Sequence, residues 1–326
     1  MTTLPRALLL LLLATVPASA ATLYVSQQGS DSHPCSQSAP CRTVNGGIAR
    51  MSGGDTLVIG PGTYEEVLTD IGGPPGYRVV PIPAGSPSAF TTLKAATPGS
   101  VTLRARRGGW DSHYLIAMET SASRYIRFES LVIDLEYQAH GMSTCGSIGD
   151  GARRIEFRDI DCKNGDMGYS GTGTDIHVIG GRVHGHGWNA RHHEHCMSSD
   201  APPMAGYCHG TYQQYGGGEG RWVIDGVHFY DNAGYGVHSY HTNIVVKNSV
   251  FSDHHTGGIV IVGAGGEVLN NCLERNPTPI LCNGCRQEGN RIDPPGGCGR
   301  AVPSPTPPPA PQPCPAPFNL RIVTAP

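Results

Sequence analysis

The chain has 326 residues, a net charge of −3 at pH 7, and only 15% charged residues. No basic stripe runs along it, which argues against a nucleic-acid partner. Its 45 Gly and 27 Pro point to a turn-rich β structure rather than a helical one.

In chain order, residues 1–20 read as a secretory signal peptide. Arg6 precedes the apolar run 7–16, and Ala18-Ser19-Ala20 is a small-residue cleavage pattern. That run is too short to span a bilayer, and no later stretch reaches the required length. The expectation is a secreted or periplasmic protein without a membrane span. Eleven Cys in an exported chain imply disulfides. Cys35 and Cys41 are placed to close a small loop, and Cys196 and Cys208 to close a longer one. Cys272, Cys282, Cys285 and Cys298 cluster near the end, where the CNGC spacing reads as disulfide before metal. Cys162, at an inward strand position, reads as a free core thiol.

Residues 21–122 read as an N-terminal cap followed by the first coils. TLYVS (22–26) starts a strand. Thr43 is placed to cap a short helix running to about Met51, with Val44, Ile48 and Met51 on one face. Strands are expected at 53–66, 101–105 and 114–118. Residues 123–301 then carry a repeat: IRFESLVID (126–134), IEFRDIDCK (155–163), IHVIGGRVH (176–184), WVIDGVHFY (222–230) and IVVKNSVFS (244–252), each followed by a second, Gly-led strand. Ile155 to Ile176 and Trp222 to Ile244 are steps of 21 and 22 residues. The step from Ile176 to Trp222 is about twice that, so one coil carries an insertion, 188–208. A repeat of this length with period-2 strands predicts a solenoid of stacked coils. Residues 276–301, with four Pro and three Cys, are expected to cover the C-terminal end. In 302–326, nine of the fifteen residues from Pro303 to Pro317 are Pro, which reads as an extended tail.

Residues 24–66 resemble the N-terminal segment of the right-handed parallel β-helix, pectate-lyase-like superfamily. Gly29-Ser30-Asp31, Ala39-Pro40, Gly54-Asp55-Thr56 and Pro61-Gly62-Thr63-Tyr64 carry the likeness. With the repeats it covers about 24–275. It implies an all-β, right-handed parallel β-helix with a short N-terminal capping helix, and a solenoid that acts on or binds carbohydrate, because many members are lyases or epimerases of acidic polysaccharides.

Period 2 assigns faces. Ile126/Phe128, Ile155/Phe157, Ile176/Val178, Trp222/Ile224 and Ile244/Val246 point inward. Stacking then sets Arg127 beside Glu156, Glu129 beside Arg158 and Asp225 beside Lys247 as surface ladders. In the second strands the outward column is Ser143, Ser170, Tyr212, His238, Val260, followed two residues on by Cys145, Thr172, Gln214, Tyr240, Val262. Tyr212 and His238 would then lie roughly 5 Å apart. His209 opens its strand and His241 closes the next. The column His186, Asn232, His254 reads as structural turn residues.

Imidazole exchanges protons near neutral pH and phenol relays them. The candidate catalytic set is therefore His238, Tyr212, His209, Arg191 and Tyr240, with Gln214, His241 and Trp188 binding substrate. β-Elimination on a uronate needs a carboxylate partner (Arg191), a base (His238 or His209) and an acid (Tyr212 or Tyr240). The expected activity is a polysaccharide lyase on an acidic, uronate-containing polymer, with polysaccharide as partner and the chain a monomer. Parallel β-helix galacturonan hydrolases carry NTD, paired-Asp and RIK motifs, and none of these is present. The alternatives are a non-catalytic carbohydrate-binding solenoid and a periplasmic copper-binding β-helix. A metal ion as cofactor would fall to His192, Glu194 and His195, joined by His184 or His186.

Overall fold

A computed structural model of the protein describes residues 20–72, 79–104, 114–136, 143–188, 208–213, 221–241, 243–263 and 265–298. Its strands form three sheets of ten, nine and eight strands, taken here as first, second and third, every pairing within them parallel. Each sheet takes one strand from each successive coil, so the chain winds as a parallel β-helix. Among the described residues no helix is long and apolar enough to cross a membrane.

The nine-residue repeat is not one strand, as the period-2 reading has it, but two. Arg124–Glu129 lies in the first sheet and Val132–Asp134 in the second; Arg153–Arg158 and Asp161–Lys163 divide in the same way. The break falls on a residue with positive φ in coil after coil: Ser130, Asp159, Gly180, Gly226, Asn248, Asn270 and Gly289. Glycine, Asn and Asp tolerate this left-handed backbone, and one such residue turns the chain sharply. A second set, from Asn164 through Gly185, Asp231 and Asp253 to Arg275, makes the bend into the third sheet.

The inward assignment holds. Ile126, Ile155, Ile176, Trp222 and Ile244 are aligned and fully buried, and the Phe128 and Phe157 rings stack at 5.3 Å. Of the surface ladders, Arg127–Glu156 closes at 2.8 Å and Lys247–Asp225 at 3.2 Å. Glu129 and Arg158 are in register, but Arg158 turns to Glu156 instead, at 2.8 Å.

The cap is a five-residue helix, Val44–Ile48, shorter than expected, although Met51 still packs in the core. Thr43 caps it, accepting from the Gly46 N–H at 2.8 Å. Asp31 takes the N–H groups of Arg42 and Thr43, and Glu66 those of Val44 and Asn45. Asp55 accepts from the N–H groups of Ala21 and Ser52. The acidic residues of the N-terminal motifs thus satisfy the donors that a helix start and a turn leave open. Residues expected to cover the C-terminal end supply the last strand of each sheet instead: Thr278–Cys282, Arg286–Glu288 and Arg291–Ile292.

Cys35–Cys41 forms as expected, and the C-terminal cluster resolves into Cys272–Cys298 and Cys282–Cys285. Cys208 is disulfide-bonded, and the expected partner Cys196 lies outside the described residues. The free-thiol reading of Cys162 is overturned, because it is bonded to Cys145 within the core. Period 2 assigns Cys145 outward. The pleat breaks there, at a position filled by Gly168, Gly210, Gly236 and Gly258 in later coils. A Cβ at Gly210 would lie 2.7 Å from the Phe229 ring, and one at Gly236 2.5 Å from the Phe251 ring. That position points inward, and in the Cys145 coil its side chain bridges to the next coil.

Candidate functional site

The outer column of the third sheet runs Ser147, Ser170, Tyr212, His238, Val260 in direct register. Four of its five members are those read from the sequence. Ser143 gives way to Ser147, because Asp166 holds Ser143 ahead of the strand: the Ser143 N–H donates to Asp166 Oδ2 at 2.8 Å and the Asp166 N–H to Ser143 Oγ at 3.1 Å.

Around Tyr212 and His238 five rings converge. Tyr212 meets His238 edge-on at 5.2 Å and Tyr240 at 6.2 Å, while His238 and Tyr240 lie 5.0 Å apart. His209, from the turn before Thr211–Gln213, approaches His238 at 4.7 Å and Tyr212 at 5.8 Å. Tyr235 completes the group, 5.7 Å from each imidazole. Sequence reading missed Tyr235; its place at the start of the His238 strand, beside Gly236, was the available signal. His209 Nδ1 lies 3.0 Å from the Tyr235 backbone N, and His209 Nε2 lies 3.1 Å from His238 Nδ1.

Period 2 presents this column to solvent, and here the structure corrects it. Tyr212 is 6% and His238 7% exposed, and His209 is fully buried. Only Tyr235 and Tyr240, both half-buried, reach the surface of the cluster. Burial pushes the His238 imidazole down to about 4. It drives His209 well below the ordinary imidazole value, with His238 and His254 adding repulsion. Both rings are neutral at pH 7. Burial also raises the Tyr235 phenol.

The remaining candidates stand apart. His241 is fully buried and meets the Asn243 N–H at 3.5 Å, so it presents nothing to a polymer. Trp188 donates its indole N–H to the Asp231 carbonyl at 2.7 Å and packs on Cys208 and Ala233, which fixes it at the corner between the second and third sheets. Arg191, Gln214, His192, Glu194 and His195 lie outside the described residues. His186, Asn232 and His254 form the structural turn column expected, extended by Asn276. The N–H groups of His186, Asn232 and His254 donate in turn to Asn232 Oδ1, His254 Nδ1 and Asn276 Oδ1, at 3.1, 3.3 and 3.3 Å.

One group of described side chains has metal-like proximity: Cys145, Cys162 and His186, all buried. It does not fit a metal. The two sulfurs are joined, and His186 Nδ1 accepts the Gly165 N–H at 3.2 Å. The proton of this neutral ring is therefore on Nε2, 3.4 Å from Cys162 Sγ, where a metal would need a lone pair.

Splitting the repeat into two strands exposes a further polar row on the second sheet. Asp161 binds both Arg182, at 2.5 Å, and His184, at 2.9 Å. The His184 ring stacks on Tyr230 at 4.3 Å, and Lys163 pairs with Asp134 at 3.4 Å. Despite burial, the hydrogen bond from His184 and the charges of Arg182 and Lys163 hold Asp161 below the usual carboxylate range. Each charge here is met by a neighbour, as in a surface ladder.

No protein-family model matches the chain, and no curated protein sequence does. Among solved structures, a rhamnogalacturonan lyase is similar over 84% of this chain and 74% of its own, at 16% identity and a TM-score of 0.61. An alginate lyase from Paenibacillus sp. str. FPU-7 is similar over 84% and 98%, at 14% identity and a TM-score of 0.48. Pectate lyase Pel9A is similar over 84% and 77%, at 13% and 0.49. The chain shares the right-handed parallel β-helix fold of the rhamnogalacturonan lyase. At such identities the likeness is one of fold, and what the solenoid does rests on its own side chains.

Proposed function

We propose that this protein is an exported carbohydrate-active solenoid, a lyase that cleaves a uronate-containing polysaccharide by β-elimination at the His209, Tyr212, His238, Tyr240 cluster. One observation carries the reading: two hydrogen-bonded imidazoles and two phenols gathered within about one ring spacing on one outer face. In β-elimination the C5 proton leaves to a base, its electron pair forms the C4–C5 double bond, and the C4–oxygen bond breaks as the leaving oxygen is protonated. Phenol and imidazole are suited to those transfers, and donors aimed at the uronate carboxylate stabilise the charge that develops there. A fold shared with a rhamnogalacturonan lyase supports a polysaccharide as partner. Disulfides inside the core and the cap support an exported location.

The test is a panel of uronate polymers followed by ultraviolet absorbance of the unsaturated product. Product from at least one polymer is expected, and no product from any of them would overturn the lyase reading. A second reading, a non-catalytic carbohydrate-binding solenoid, is favoured by the burial of Tyr212 and His238. Binding retained on the same panel without product would establish it.

A further inference from the structure

Resting on that reading of the cluster, we propose that His209 is a positioning residue that locks His238 in the tautomer carrying its proton on Nε2. His238 then serves as a hydrogen-bond donor to the substrate's carboxylate, and the base is the phenol oxygen of Tyr240. The lock starts from a group whose proton is beyond choice. A backbone N–H can only donate, and that of Tyr235 points at His209 Nδ1 from 3.0 Å. His209 Nδ1 therefore presents a lone pair, and in a neutral imidazole the single proton must sit on Nε2. That Nε2–H faces His238 Nδ1 at 3.1 Å, so His238 Nδ1 accepts in turn and the His238 proton is confined to its own Nε2.

Neither ring escapes this arrangement by gaining a proton. A proton on His238 Nδ1 would set two N–H groups face to face, and one on His209 Nδ1 would oppose the Tyr235 amide. Burial of both rings acts in the same direction. A base needs a lone pair aimed at the substrate, and the only nitrogen of His238 not occupied by His209 carries a hydrogen instead. His209 is enclosed and has both nitrogens engaged. This revises the roles read from the sequence, where His238 or His209 takes the proton.

Of the three phenols beside His238, Tyr212 is buried, and Tyr235 and Tyr240 are half-buried. Tyr240 is the nearer of these two, at 5.0 Å against 5.7 Å, and burial raises the Tyr235 phenol, which leaves Tyr240 as the base. The step balances within one residue. With Tyr240 entering the step as the phenolate, its oxygen takes the C5 proton, the C4–C5 double bond forms as the C4–oxygen bond breaks, and the phenol so formed returns that proton to the leaving oxygen, which regenerates the phenolate. His238 Nε2–H meanwhile donates to the carboxylate, whose negative charge grows in the transition state.

Two experiments separate this assignment from the activity it rests on. The first is long-range proton–nitrogen NMR on the wild-type protein with ¹⁵N-labelled histidine at pH 7. The His209 and His238 signals are assigned by their loss in the His209→Gln and His238→Gln variants. Both rings are expected to show an unprotonated Nδ1 and a protonated Nε2; a protonated Nδ1 on His238 overturns the lock whether or not any polymer is cleaved. The second compares His238→Gln with His238→Ala in the product assay, each checked for an unchanged thermal melt. Glutamine supplies an N–H donor near the Nε2 position and no base. His238→Gln is expected to stay within about tenfold of wild type, and His238→Ala to fall by about a hundredfold or more. Equal loss in both variants overturns the donor role. A panel without product, together with the expected NMR result, removes the lyase reading alone.

Discussion

At Tyr240 the proposed chemistry comes down to one oxygen atom. Tyr240→Phe keeps the ring that packs 5.0 Å from His238 and 6.2 Å from Tyr212 and removes only the hydroxyl. The expected outcome is a fall in turnover of about 10²- to 10⁴-fold, the usual contribution of a positioned proton-transfer group, with little change in thermal melting. Steady-state rates on the polymer that gives product, beside a melting curve, check it; a variant as active as wild type would remove Tyr240 from the chemistry. The pairing of Tyr212 with His238 was legible in the sequence, because the Gly-led start of each such strand, Gly210 and Gly236, sets the register and period 2 sets parity. Two things were not legible. Parity tells which way a Cβ points, not whether that face is covered, and Tyr212 and His238 are buried on a face that alternation alone would leave open. Nor does parity tell which ring nitrogen carries a proton, since that depends on a backbone amide, Tyr235, 26 residues from the His209 it fixes.

Between residues and the whole, the bends carry as much of the fold as the strands. Asn232 sits in the buried turn column, accepting from the His186 N–H at 3.1 Å and donating to the Val183 carbonyl at 3.3 Å. Asn232→Ala strips both partners in a place water does not reach, and each orphaned group costs about 1–3 kcal/mol. A loss of about 2–4 kcal/mol in urea unfolding is expected, and a loss below about 0.5 kcal/mol would mean that the column is not a structural ladder. The Cys145–Cys162 staple offers a graded comparison. It closes 17 residues and lies in the core, whereas Cys35–Cys41 closes 6 in the cap. Removing it as the Cys145→Ala/Cys162→Ala pair is expected to cost about 2–4 kcal/mol, and more than the Cys35→Ala/Cys41→Ala pair, because a longer loop regains more unfolded-state freedom. Equal or reversed losses by denaturant titration would count against that ordering. The repeat announced the coils but concealed the bend within each nine-residue unit. A single left-handed residue such as Ser130 or Asp159 interrupts the chain without breaking the run of apolar residues. For that reason the second strand of each coil, and with it the Asp161–His184–Tyr230 row, went unread.

For the molecule as a whole, the buried imidazoles set its response to acid. Burial pushes His186 and His254 down to about 3 and His238 down to about 4, and holds His209 well below its ordinary value. An unfolded chain titrates each near 6.5. Between those limits the unfolded state binds protons that the folded state refuses, so unfolding takes up protons and stability falls as pH falls. The contribution is fully present above about pH 6.5 and is lost progressively toward about pH 4, each group adding about 1.4 kcal/mol per pH unit inside the window. The carboxylates held low by their partners, Glu156, Asp161 and Asp253 among them, act with the same sign but at lower pH. Loss of stability should therefore begin about two pH units above the carboxylate range. Urea midpoints measured at pH 8, 7, 6 and 5 are expected to be level across the first two and to drop steeply across the last two. His254→Asn should make the drop shallower by one proton's worth. A midpoint unchanged from pH 7 to 5 would mean that these rings bind protons in the folded coil, and that the neutral column stacked along its turns is not what holds it together.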